Sequence, residues 1–265
     1  MKVFSFKSYL SNNSDFQQIN GLYYQRGLKT AQPFESAYRS LRAAEGRLYS
    51  DEIVSKLPEF PEDHPLKREW TVRKKSALRL IEYLRKRKAQ TILEIGCGNG
   101  WLINQIWLQV DADSCGVDVN ETELKQAVAV FGEWEKLSFV YGDIESDIFA
   151  NMTVDTVILA SALQYFREPG AILLKLKKLL TSDGEIHIID SPVYQDETVA
   201  AARERSQKYF ADAGQADMQP FYFHHSWKIF SPFEITIRYN PESWWNKVFG
   251  TFFGNSPFPW IILKK

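Results

Sequence analysis

Residues 91 to 100 read Thr-Ile-Leu-Glu-Ile-Gly-Cys-Gly-Asn-Gly, an apolar, β-branched run that empties into glycines at 96, 98 and 100. Such a run is a buried strand. The glycines after it form a tight turn where backbone can press against a ligand, because no Cβ intervenes. A dinucleotide fingerprint needs its third glycine three residues after the second, so that helix and strand pack over a pyrophosphate. Here the third glycine comes one residue earlier and position 101 is Trp. The loop is therefore of a different kind, and Glu94 at the strand end would repel a phosphate.

Further strands follow, several with an acid at the carboxyl end. Ser114 to Asn120 is a second strand ending in Asp118, at the separation where α/β nucleotide folds place an acid for ribose hydroxyls. Leu137 to Ile144 holds a third strand with Asp143 just past it; Val154 to Ser161 is a fourth and Gly184 to Asp190 a fifth. With Glu94 leading the glycines, Glu-x-Gly-x-Gly-x-Gly resembles the first motif of class I S-adenosylmethionine-dependent methyltransferases, and the motifs that carry the resemblance cover residues 91 to 192. The resemblance implies a doubly wound, Rossmann-like α/β fold with a seven-stranded sheet whose last strand is antiparallel. It also implies that S-adenosylmethionine binds at Glu94, Gly96, Cys97, Gly98, Gly100, Asp118, Val119, Asp143, Ile144 and Ala160. Within that set Asp118 takes the ribose hydroxyls and Asp143 the adenine amino group.

Composition sets outer bounds. A chain of 265 residues holds one α/β domain with additions and folds without staples. Its two cysteines, Cys97 and Cys115, sit in the glycine loop and the second strand, which suits a reducing compartment. The start lacks a signal-peptide core and no run approaches membrane-spanning length, so a cytoplasmic protein with no membrane association is expected. Lys plus Arg total 32 against 33 for Asp plus Glu, so the molecule lacks the overall positive field of nucleic-acid binders. The basic run from Lys67 to Lys88 is expected to be a solvated helix face. A metal site is not expected, because His64, His187, His224 and His225 form no ligand-spaced set with cysteine.

Residues 1 to 65 are expected to form an N-terminal helical cap. Phe34, Tyr38, Leu41 and Leu48 share a helical face after Pro33, a residue suited to a first turn. Ser50 opens a shorter helix that stops before Pro58. The cofactor-binding domain then runs from 66 to 265. Its leading amphipathic helix, Leu66 to Lys88, carries Arg73 on the inward stripe. A buried guanidinium needs a carboxylate, and two are available: that of the cofactor's methionine end, or a protein acid such as Glu94.

After the fourth strand the chain reads Ala-Ser-Ala-Leu-Gln-Tyr-Phe from 160, without the Asn/Asp-Pro-Pro-Tyr/Phe of amino-group methyltransferases. Asn255-Ser256-Pro257-Phe258 looks like that motif but precedes the terminal strand. The Leu163 position resembles instead the small-molecule branch, with Gln164 and Tyr165 where histidines are usual. Residues 193 to 232 form a substrate-side insertion, including a helix from Glu197 to Phe210 and the aromatic run Phe221 to Trp227. Gln164, Tyr165, Tyr222 and Trp227 are candidate acceptor contacts, with Tyr23 and Tyr24 of the cap expected beside them. No motif names a base, which leaves His224, His225, Asp190 and Tyr194 as candidates. The expected activity is methyl transfer to a small-molecule O, N or C nucleophile. An aminopropyltransferase-like enzyme, or a non-catalytic cofactor-binding regulator or partner subunit, are the alternatives.

Overall fold

The computed structural model describes residues 4–30, 32–132, 134–243, 246 and 255–265. Helix α1 (Phe6–Asn12) and a hairpin of β1 (Phe16–Ile19) and β2 (Leu22–Gln25) lead into α2 (Pro33–Ala44), α3 (Asp51–Lys56) and the long α4 (Lys67–Arg87). Strand and helix then alternate through β3 (Thr91–Ile95), α5 (Trp101–Gln109), β4 (Asp113–Asp118), α6 (Glu121–Phe131) and β5 (Leu137–Tyr141). β6 (Val154–Ala160), α7 (Pro169–Lys178), β7 (Leu180–Ile189), α8 (Asp196–Asp212), β8 (Ile235–Tyr239) and β9 (Trp260–Lys264) complete the described elements.

All described strands join one sheet in the order β1-β2-β5-β4-β3-β6-β7-β9-β8. β3 to β7 are parallel, and β9 inserts antiparallel between β7 and β8. The expected seven strands are present, and the hairpin adds two more, giving nine. The cap is thus not purely helical. Gly21 and Asn20 adopt positive φ at the hairpin turn, and β2 then pairs in parallel with β5, burying Leu22 and Tyr23. The signal was a pair of four-residue strands, too short to show an alternating pattern.

Burial on both faces explains the near-continuous apolar runs in β3, β5 and β6. One core holds α1 and α7 through Phe6, Leu10, Leu173 and Leu176; the other holds α4, α5 and α6 through Leu80, Leu84, Ile103 and Leu124. A third, small cluster stands apart from both and joins Ala37 and Leu41 of α2 to Phe210 of α8 and Met218. Ser50 caps α3 as the sequence reading expects, accepting from the Ile53 amide at 3.4 Å. Leu48 leaves the α2 stripe, because the helix ends at Ala44 and Leu48 is 53% exposed. The order of strands reverses between β3 and β6, which opens a crevice beyond their carboxyl ends where such folds bind ligands.

Candidate active site

The crevice holds a cavity of about 340 Å³ bounded by the glycine loop, the ends of β4 to β7, α4 and the cap helix α2. Gly96 and Gly98 line it, with φ of +72° and +53°, a left-handed conformation that side-chain-bearing residues rarely adopt. Glu94, Cys97, Asp118, Val119, Asp143, Ile144, Ala160 and Arg73 line it too, so the crevice brings together nearly all the expected cofactor residues. Gly100 is the exception. It turns away from the cavity at the start of α5, where an added Cβ would meet Phe139 Cε1 at 2.5 Å and Ala127 Cβ at 3.0 Å. Its role is close packing of helix on strand.

Asp118 is held by the loop that it faces. Its Oδ2 accepts from the Gly98 amide at 2.7 Å and its Oδ1 from the Asn120 amide at 2.8 Å. Each carboxylate oxygen can accept a second hydrogen bond, so capacity remains for a diol. Burial pushes its pKa up, opposed by those amides. Glu94, 2% exposed, leaves Oε2 without a partner among the described residues, and burial raises it well above the usual carboxylate range. An unpartnered buried carboxylate oxygen on a cavity wall suits a ligand with a cationic donor. Asp143 is aimed by Gln25 of β2, whose Oε1 accepts from the Asp143 amide at 2.8 Å. The hairpin therefore positions Asp143, the acid expected on the adenine side. These features fit S-adenosylmethionine, which carries a ribose diol, an adenine and a cationic ammonium.

Arg73 lies on the wall with its Nε 2.9 Å from Glu69 Oε1 and its guanidinium 5.4 Å from the Trp70 ring. Among the described residues Arg73 pairs with Glu69 and not with Glu94. Glu123 of α6 also lines the cavity and was missed by sequence reasoning: its Oε2 would lie 3.0 Å from a Cβ at Gly98 and accepts from Asn120 Nδ2 at 3.2 Å. Burial, and Asp118 beside it, push Glu123 up to about 7. The sequence signal was present, since Asn120 and Glu123 have capping-box spacing, but it reads as a helix start.

A second cavity of about 1280 Å³ adjoins the first, and Arg73, Ser161, Tyr165 and Asp190 line both. Gln164, Tyr194, Tyr222 and Trp227 line the second cavity. Gln164 Oε1 is buried without a partner among the described residues. The aromatic run from Phe221 is pinned to the 194 region, the Tyr194 amide donating to the His225 carbonyl at 2.9 Å and the Trp227 amide to the Tyr194 carbonyl at 3.1 Å. This turns Tyr222 and Trp227 to the cavity and the histidines away from it. His224 and His225 line neither cavity, and both are buried, at 9% and 7% exposure. His224 Nε2 sits 2.8 Å from Ser206 Oγ, and burial together with Arg203 lowers its pKa to about 4. Tyr23 and Tyr24 also line neither, because β2 carries them to the far side of β5. The cap reaches the site through Phe34 and Tyr38 of α2, which touch Tyr165 edge-on.

Comparison with known proteins agrees with this geometry. Residues 86–238 match the family described as a methyltransferase domain. Malonyl-[acyl-carrier protein] O-methyltransferase of Haemophilus influenzae is 30% identical over 111 residues, covering 40% of this chain and 39% of its own length. The chain thus spans about two fifths of the length of the curated relatives it matches. Among solved structures, the complex between the Haloferax volcanii Trm112 methyltransferase activator and the putative methyltransferase has a TM-score of 0.53 at 16% identity, covering 90% of this chain and 99% of that chain. An O-methyltransferase family protein from Burkholderia thailandensis has a TM-score of 0.53 at 12% identity, covering 88% and 71%. At such identities the likeness is one of fold. Among the described residues no helix is long and apolar enough to cross a membrane, and no three or more His, Cys, Asp or Glu side chains are grouped so as to hold a metal ion.

Proposed function

The chain belongs to the class I S-adenosylmethionine-dependent methyltransferase family, and from that premise we propose that it transfers a methyl group to a small-molecule acceptor seated in the second cavity. The observation that carries this reading is the shared wall: Ser161, Tyr165 and Asp190 line both chambers, so a donor in one adjoins an acceptor in the other. When bound, S-adenosylmethionine supplies a methyl on a sulfonium, already electrophilic without further activation.

The chain's residues then bind, orient and exclude water. Asp118 would hold the ribose hydroxyls, Asp143 the adenine amino group, Glu94 the ammonium and Arg73 the carboxylate. Gln164, Tyr165, Tyr222 and Trp227 would wall the acceptor. Holding the two reactants in line is the main source of rate in such a transfer, and Phe34 and Tyr38 of α2 would help shield it from water. The second cavity is somewhat larger than the roughly 300 to 1,000 Å³ usual for small-molecule sites.

Thermal melting tests the reading. S-adenosylmethionine and S-adenosylhomocysteine should raise the melting temperature while NAD and ATP do not, since a ligand at a hundredfold excess over its Kd adds about 2.7 kcal/mol. Binding of NAD with indifference to both sulfur ligands would end it. Transfer of labelled methyl into a metabolite extract separates the enzyme from a non-catalytic binder.

A further inference from the structure

Two acids lie where the cavities meet, Glu69 and Asp190. Glu69 is already neutralised, with Arg47 Nη1 at 2.5 Å and Arg73 Nε at 2.9 Å. Asp190 has no ion pair among the described residues. Its partners are hydroxyls: Ser76 Oγ and Ser256 Oγ each donate to Oδ1 at 2.8 Å. Its backbone sits at φ +50°, and Ser161 Oγ donates to its carbonyl at 2.9 Å. A residue in a strained backbone conformation, its carboxylate held from two separate segments and its carbonyl from a third, is the kind of feature that persists where function requires it.

The charge around it also narrows the acceptor. On the second cavity's wall, Arg42, Arg47 and Arg73 share Glu45 and Glu69 as ion-pair partners, and the remaining Arg68 is exposed. Glu242 and Asp190 complete the balance, so no net positive field draws in an anion. Among the uncharged residues of the wall are the aromatic side chains of Tyr165, Tyr194, Phe210 and Tyr222, beside prolines and aliphatic residues.

We propose that Asp190 is the general base of the transfer and that the acceptor is a neutral aromatic hydroxyl compound of the phenol class. This rests on the methyltransferase reading. Asp190 takes the hydroxyl proton as the acceptor oxygen bonds to the methyl carbon. The carbon–sulfur bond breaks, its electron pair staying on sulfur as a neutral thioether, and the proton passes from Asp190 to water. A carboxylate acceptor would need no base and would face an unpaired like charge. Burial raises Asp190, bringing it nearer the acidity of its partner, which strengthens a base. Arg73 and Arg79 of α4 oppose that rise, and Tyr239 of β8 and the hydroxyls of Ser76 and Ser256 complete its surroundings.

The test uses Asp190→Asn, which tolerates the left-handed backbone and keeps an oxygen for both serines. Methyl-labelled S-adenosylmethionine is offered with phenols of graded acidity, from phenol to nitrophenols, and with the matching benzoates. Wild-type protein should methylate phenols and spare benzoates. Asp190→Asn should bind S-adenosylhomocysteine as wild type does, lose roughly 10² to 10⁴-fold on unsubstituted phenol, and lose little on a nitrophenol already ionised at the assay pH. A purely structural role would lower every phenol equally and so overturns the assignment. Methylation of benzoates rather than phenols, or of neither by a protein that binds S-adenosylhomocysteine, overturns the acceptor class whatever the variant does. Failure of the wild type to bind S-adenosylhomocysteine sinks the underlying reading instead.

Discussion

The backbone amide of Gly98 donates to Oδ2 of Asp118 at 2.7 Å, so the glycine loop and the acid that ends the next strand are one unit. In the proposed role of Asp118, cofactor recognition and loop geometry are coupled. A change at Asp118 acts on both.

Asp118→Ala should weaken S-adenosylhomocysteine binding by roughly 1.5 to 3 kcal/mol, the range for hydrogen bonds to a charged group. It should also lower stability, because the Gly98 and Asn120 amides lose their acceptor. Calorimetry and chemical denaturation measure the two losses separately. Native affinity in the variant would remove Asp118 from the ribose role.

Gly100→Ala should cost more stability than Gly98→Ala. A Cβ at Gly100 meets the Phe139 ring and Ala127, whereas at Gly98 it meets only the end of the Glu123 side chain. Overpacking of this kind costs typically 1 to 3 kcal/mol, beyond the strain that positive φ imposes at both positions. Urea denaturation of the two variants decides the order, and equal midpoints would contradict the packing role.

Arg73→Met keeps the apolar stem and removes the charge. Affinity for S-adenosylmethionine should fall while affinity for its decarboxylated analogue stays nearly constant, as titration calorimetry can compare directly. Equal losses would reassign Arg73 to its pair with Glu69 alone.

Glu123 titrates near 7 in the folded chain against an ordinary 4.5, with burial the main cause. A raised acid pKa favours the protonated folded state. Its stabilising contribution is complete below 4.5 and is lost as pH rises through about 7. Glu123→Gln should therefore gain stability relative to wild type between those values and hold the gain above them. Melting temperatures across that range test this, and a difference independent of pH would refute it.

The glycine loop, the acids at 118 and 143 and the strand sequence were legible because each is a local pattern: a buried strand must be apolar, and a tight turn must be glycine. The hairpin from Phe16 to Gln25 was not, since its short strands gain their pairing from β5, over a hundred residues away. Orientation in the aromatic run was equally hidden. Whether Tyr222 or His224 faces the cavity depends on the bonds between residues 194 and 225–227, which no spacing within the run records.

By itself the sequence determined the fold class and picked out the glycine loop and the acids proposed to bind the donor, because each rests on a pattern local in the chain. Only the tertiary structure decided what surrounds the proposed acceptor cavity. Asp190, Ser76 and Ser256 are separated by 66 residues or more, and they meet only because α4 and the segment before β9 pack over the end of β7. A carboxylate's basicity is set by what surrounds it in space, through burial and partners, and those are properties of the folded chain.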